Sequence, residues 1–315
     1  MNRSTFFRSY LFGFLALVLA ILFALRWGSV ENADLGLIVQ LRLPRVLLAS
    51  AIGMGLAVAG AALQALFANP LCEPYTLGIS SGSAFGAVLG ASLGFNWMFA
   101  GIAGTAFIGA FLFAAILYLI SLRPGTGNLT LLLAGVMLGF LGSSLVAIWM
   151  TLMDSNGIQS AMLWLLGDLS RARMKGALFS FATSLVLSVL VISRWRDLDA
   201  LLTGEEAALS LGVPVASVRR RLILLTSLLV ALCVSGGGMI GFVGLIVPHF
   251  ARRFVGSLHL RLLPLCALWG AAALTAADGV ARYAARPYEL PVGVVTALVG
   301  APLFIWIMLQ RREVR

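Results

Sequence analysis

Apolar runs of roughly twenty residues succeed one another along almost the whole chain, and few charged side chains fall inside them. A helix of about that length crosses the ~30 Å hydrocarbon core of a bilayer. Only segments that satisfy their own backbone groups persist there. The runs lie at about 10–26, 46–67, 77–95, 98–121, 129–152, 177–193, 222–242, 247–257, 262–282 and 291–310. They predict an all-α, polytopic membrane protein with about ten transmembrane helices in one domain, residues 1–315. Charged residues make up 11% of the chain, against ~25% in soluble domains, and no polar stretch is long enough for a second domain. Arg3 and Arg8 precede the first run as in a signal peptide. That run lacks a small-x-small cleavage site, so it reads as a retained span.

One of these runs is interrupted. Between Gly236 and Gly244 the chain carries five glycines, and Pro248, His249, Arg252 and Arg253 follow. Non-helical backbone at membrane depth needs protein or a water-filled path around it, and broken helices are characteristic of solute transporters. The run is expected to loosen through the glycines and to break at Pro248, with the 247–257 run as a half-helix following the glycine break. There is also an internal echo. Arg45-Val-Leu-Leu opens a glycine-bearing span that ends at Asn69-Pro70, and Arg221-Leu-Ile-Leu-Leu opens another that ends at Pro248-His249. The two would run in opposite directions, as in an inverted repeat; chance likeness between glycine-rich apolar helices is the competing account.

The net charge of +10 sits between the apolar runs, where it signals topology, and no nucleic-acid role follows. With the N-terminus in the cytoplasm, 14 of the 22 basic residues face inward, from Arg3, Arg8 and Arg123 through the 194–221 segment to Arg311, Arg312 and Arg315. The bias predicts both termini inside. On the outer side stand Arg26, Arg42, Arg45, Arg171, Arg173, Lys175, Arg282 and Arg286. Arginine suits interface ion pairs, so Arg42, Arg45 and Arg282 are candidates for docking a partner, with headgroup contact or snorkelling as the alternative. Snorkelling is the preferred reading of Arg171, Arg173 and Lys175. Asp278 and Arg282, four residues apart on one helical face, predict an internal ion pair, since an unpaired charge in a span is costly.

The longest inner segment, 194–221, contains Thr203-Gly204-Glu205-Glu206. This fits a capping box with Thr203 as N-cap and Glu206 reaching back, opening a short helix that Gly212 and Pro214 end. A second short helix is expected from Ser217 into Arg219–Arg221.

Several chemistries are excluded. Cys72, Cys233 and Cys266 lie far apart, and His249 and His259 are the only histidines, so no metal site or cofactor is expected. No nucleophile–base constellation appears, so the chain is not expected to be an enzyme. The single lysine, Lys175, follows no glycine-rich phosphate loop, so ATP hydrolysis would fall to another subunit.

Four segments, in order, carry a resemblance: Arg42-Leu-Pro-Arg45; Gln64 through Asn69-Pro70-Leu-Cys-Glu73-Pro74; Gly241 through Arg253; and Glu289-Leu-Pro-Val-Gly293 continuing to Gly300-Ala-Pro302. Together they resemble the iron-chelate and vitamin B12 permease family of type II ABC importers, from about Arg42 to Leu309. The resemblance implies a homodimeric, ten-span permease in the cell inner membrane. Two cytoplasmic ABC ATPase subunits would drive it, and a periplasmic binding protein would deliver an iron–siderophore complex, or alternatively cobalamin or haem. It assigns Arg42, Arg45 and Arg282 to the binding protein. The ATPase would meet the segment around Thr203, Gly204, Glu205, Glu206, Leu211 and Gly212. Gate or path candidates are Gln64, Asn69, Pro70, Glu73, Gly241, Gly244, Pro248 and His249. An ion-gradient-driven secondary transporter is the reading from another class; Asp278 is its one clear buried carboxylate, and Arg282 stands ready to pair with it.

Overall fold

A computed structural model describes residues 3–28, 34–93, 101–123, 125–153 and 155–310. Arg311, Arg312 and Arg315, assigned above to the inner face, lie outside them, as does the side chain of Arg3. Helix α1 (Arg3–Arg26) is followed by a single turn, α2 (Leu35–Leu37), a π-helical turn at Ile38–Arg42, and α3 (Leu43–Leu66). A break containing a 3-10 turn at Pro74–Leu77 leads into the short α4 (Ile79–Ser92). Then come α5 (Gly101–Ser121), α6 (Asn128–Thr151), α7 (Ser155–Leu165) and α8 (Met174–Ile192). Two small helices, α9 (Trp195–Leu201) and α10 (Glu205–Ser210), form a knob. Finally α11 (Val215–Gly237), α12 (Val243–Val255), α13 (His259–Tyr283) and α14 (Val292–Gln310) complete the bundle. No strand occurs among the described residues, and seven helices there are long and apolar enough to cross a membrane. α4 and α12 are short, and α11 opens on Arg219, Arg220 and Arg221.

Helix α3 is the axis of the molecule, buried almost without exception from Pro44 to Leu66. Such burial needs a helix that is apolar on every side, and small residues that let neighbouring backbones approach. A Cβ on Gly53 would lie 2.2 Å from the Gly270 carbonyl oxygen, and one on Gly270 equally close to that of Gly53. α3 and α13 therefore meet backbone to backbone. Lower on α3, a Cβ on Gly60 would lie 2.0 Å from the Gly244 carbonyl oxygen of α12.

Hydrogen bonds between distant residues define two ends. Arg42 Nη1 donates to the carbonyls of Leu25 and Arg26, both at 2.7 Å, and Arg45 reaches Asp278 near the far end of α13. This is the arginine end. Tyr10 Oη donates to the Arg261 carbonyl at 2.7 Å, and His259 touches Asp199 of α9. This is the knob end. α14 starts at the arginine end, where Val292 N–H donates to Gly167 O at 3.0 Å.

The chain is interrupted within the glycine cluster, as expected, but not at the proline. α11 stops at Gly237, the chain turns through Gly238–Phe242, and Pro248 sits inside α12. The capping box is also absent. Thr203 Oγ1 donates back to Ala200 O at 2.7 Å, closing α9, while Gly204, at φ +97°, stands as the N-cap of α10. Ser217 and Arg219–Arg221 belong to the first turns of α11 and form no separate helix.

Candidate functional site

Three stations are held together by α3, α11 and α13. The first is the pair of breaks. The leading N–H groups of a helix have no intrahelical partner, and α12 begins inside the bundle with its N-cap Phe242 at φ +70°. Glu73, from the break after α3, accepts the Phe242 N–H at 2.5 Å. Ile240 N–H donates to Tyr75 Oη. Burial raises the Glu73 carboxyl above the ordinary carboxylate range, while the Phe242 N–H pulls it back down.

Pro248 lacks the N–H that would serve the carbonyl four residues earlier, which is that of Gly244. Gln64 supplies the donor instead: its Nε2 lies 3.3 Å from Gly244 O and 3.5 Å from Leu245 O. The other end of the same amide, Oε1, accepts from Arg252 Nη1 at 2.6 Å. Gln64, Glu73, Gly244 and Pro248 thus form one connection between α3 and α12. Asn69 and Pro70 instead shape the turn, Asn69 Oδ1 accepting the Leu71 N–H at 2.9 Å, and Pro70 is exposed. Gly241 is half-buried beside Glu73. His249 is buried, its ring edge-on to Phe250. Tyr75 and Arg252 were missed from sequence; the signal for Arg252 was its place one turn after Pro248.

The second station is the arginine end. Arg45 Nε donates to Asp278 Oδ1 at 2.8 Å, and its Nη1 to Glu289 Oε2 at 2.6 Å. Arg282 Nε lies 3.1 Å from Asp278 Oδ2. Arg42, Arg45 and Arg282 are exposed by only 6%, 7% and 3%. In this chain each meets an interior group: Arg42 the Leu25 and Arg26 carbonyls, Arg45 both Asp278 and Glu289, and Arg282 Asp278. Glu289 was quoted in a motif without being seen as the partner of Arg45. A cavity of about 140 Å³ opens here, lined by Gly28, Arg42, Arg45, Ser170, Arg282 and Glu289 among others. Arg171, Arg173 and Lys175 are exposed nearby in sequence to Ser170. Arg171 Nε lies 3.7 Å from Asp168 Oδ2.

The third station is the knob. Buried Arg219 pairs with Glu205 and sends Nη1 to Thr126 O at 2.7 Å, in the α5–α6 connection. Asp199 accepts the His259 N–H at 2.8 Å and faces its Nδ1 at 2.7 Å, so α9 is fastened to the first turn of α13. Outward, the knob presents Leu202, Leu209 and Leu211, exposed by 47%, 58% and 70%, beside exposed Glu206 and Gly212. Thr203 and Gly204 form its exposed corner.

The FecCD transport family profile matches residues 4–310. This chain belongs to the FecCD transport family. It is therefore a transport component of the ABC importer permease class and not an enzyme. The FecCD permease is 40% identical over 301 residues to the cobalamin import system permease protein of Halobacterium salinarum, covering 95% of this chain and 80% of the relative. It is 38% identical over 304 residues to the hemin transport system permease protein of Yersinia pestis, covering 94% and 90%. A solved inward-facing structure, provisionally assigned as a metal-chelate type ABC transporter, superposes with TM-score 0.88 at 34% identity, covering 98% of this chain and 100% of the other. In this FecCD permease the four motif segments fall on two of the stations: the first and fourth at the arginine end, the second and third at the breaks.

Proposed function

We propose that this permease works as a homodimer in the cell inner membrane, with the knob end cytoplasmic, and passes a metal chelate delivered by a periplasmic binding protein at the arginine end. Two ABC ATPase subunits dock on the knobs. The inward bias of basic residues supports that orientation. The cargo reading is a large chelate of the cobalamin or haem kind, in keeping with the two relatives; an iron–siderophore complex is the other candidate, from the family resemblance.

The observation that carries this reading is the rigid fastening of the knob. Asp199 grips the start of α13 and Arg219 ties α10 to α11. The 25 residues of α13 lead from the knob to Asp278 and Arg282, a strut of about 38 Å. A push on Leu209 and Leu211 is therefore delivered to helices that end at the arginine cluster and at the break. Gln64, Glu73, Gly244 and Pro248 are proposed as the parts that keep α12 in register while those helices shift. Arg45 acts behind the docking surface, holding Glu289 where a partner meets it.

Uptake by proteoliposomes holding the permease and its ATPase tests the reading. Enclosed ATP and external loaded binding protein should drive accumulation of one of the three chelates, and Leu211→Asp should abolish it while leaving the permease folded. Uptake driven by an ion gradient without the ATPase would overturn the assignment.

A further inference from the structure

At the knob end, α1, α12 and α13 meet in a patch that lies outside the three stations. Trp269 of α13 rests on α1 where Gly13 leaves room: a Cβ there would fall 2.5 Å from its Nε1. Phe12 of α1 and Phe254 of α12 stand edge-on to the same indole, at centroid distances of 6.1 and 5.1 Å. Both phenylalanines are exposed, by 64% and 43%. Along α1 the exposure continues through Leu15, Leu19 and Leu22, an apolar face of the kind a span turns to hydrocarbon. Three exposed arginines rim the patch. Arg8 precedes Phe12 by four residues and so shares its helical face. Arg253 adjoins Phe254, its Cζ 5.7 Å from the Phe250 ring centroid. The Arg261 carbonyl accepts from Tyr10 Oη, which fixes α1 against the start of α13. Trp269 stands just over two turns beyond Arg261, about 12 Å deeper along α13. No acidic residue occurs from Met1 to Val30 or from Ala207 to Ala277, so the elements that form the patch set only positive charge around its rings. Asp199, which α9 brings to this end, faces His259.

We propose that this patch binds an anionic phospholipid of the leaflet at the knob end, its phosphate on the arginine rim and one acyl chain over Phe12, Trp269 and Phe254. Guanidinium presents paired N–H donors in a planar fork that matches two phosphate oxygens, and basic pockets between spans select anionic headgroups in this way. The indole Nε1 is buried against Gly13, so the rings offer the chain apolar surface alone. The site depends neither on which chelate is carried nor on which way the permease is oriented.

The test titrates the purified permease–ATPase complex in detergent with phosphatidylglycerol or with phosphatidylcholine of the same chains, and counts bound lipid by native mass spectrometry. Phosphatidylglycerol should be held more tightly. Each arginine beside an anionic group contributes roughly fivefold in affinity, so Arg8→Gln combined with Arg253→Gln should weaken phosphatidylglycerol about 25-fold and leave phosphatidylcholine unchanged. Phe12→Ala combined with Phe254→Ala should weaken both lipids alike, which separates the chain subsite from the rim. In nanodiscs, Phe254→Cys carrying a photoreactive label should mark lipid. Equal affinity for the two lipids, or a preference that survives both arginine substitutions, overturns the proposal. So does labelling of a second permease chain or of an ATPase subunit, which would give the patch a protein occupant.

Discussion

The break after α3 and the break after α11 are built from opposite materials. Each follows a helix of 23 or 24 residues and leads into a shorter one. Each hands over through a residue in the left-handed region, Gly78 at φ +71° and Phe242 at φ +70°. The first break, however, is polar and proline-bearing, with Asn69, Pro70, Glu73, Pro74 and Tyr75, whereas the second is glycine-rich and offers bare backbone. The first supplies side-chain acceptors and the second supplies orphan N–H groups, so neither is stable in a membrane alone. The difference teaches that an interruption in a span need not be solvated to be tolerated. It can be satisfied by another interruption.

The comparison is broken most severely by steric means. Gly60→Leu places a side chain where Gly244 O already lies 2.0 Å from the added Cβ. α3 and α12 cannot then approach, and no assembled permease should be recovered from membranes. Glu73→Ala removes the acceptor of the Phe242 N–H while leaving the chain free to pack. It should cost about 3 kcal/mol, read as a lowered unfolding temperature and as new reactivity of a cysteine placed at Gly241. Gln64→Leu leaves the Gly244 carbonyl and Arg252 without their shared amide, at about 2 kcal/mol. If Gln64→Leu cost more than Glu73→Ala, the proline inside α12 would outrank the glycine break as the weak point. Tyr75→Phe removes one neutral hydrogen bond and should cost about 1 kcal/mol.

The apolar runs made the order of the long helices legible, since a twenty-residue stretch without charge has few other uses; their count was not, for ten runs stand against seven helices long and apolar enough to cross a membrane among the described residues. The Asp278–Arg282 spacing was readable for the same reason, being local. The partners of Arg45 were not: Asp278 and Glu289 stand 233 and 244 residues away, and nothing short-range marks them. Pro248 misled because a proline usually ends a helix, and the rescue comes from Gln64, 180 residues from the carbonyl it serves. Thr203 misled because its hydroxyl can either open the next helix or close the previous one. The backbone reversal at Gly204 decides between them, and the sequence pattern is the same for both. Local patterns specify where spans lie; which buried polar groups meet depends on how the spans cross.

The smallest effect separates hydrogen bonding from charge at the junction of the two breaks. Glu73→Gln keeps an oxygen for the Phe242 N–H, so below pH 4.5 it should lie within about 0.5 kcal/mol of the wild type. Burial raises the Glu73 carboxyl above its ordinary value of 4.5, so the folded protein favours the protonated form. Its contribution is then fully present below 4.5 and is lost as pH rises through the higher folded value. The amide has no such slope, so as pH is raised from 4.5 the unfolding temperatures of the two proteins should diverge in favour of Glu73→Gln. The first turn of α12 offers the opposite force, because a helix N-terminus favours a carboxylate by up to ~1 kcal/mol. If Glu73→Gln instead falls behind as pH rises, that attraction exceeds the cost of burial. The first break would then hold the second by charge as well as by shape.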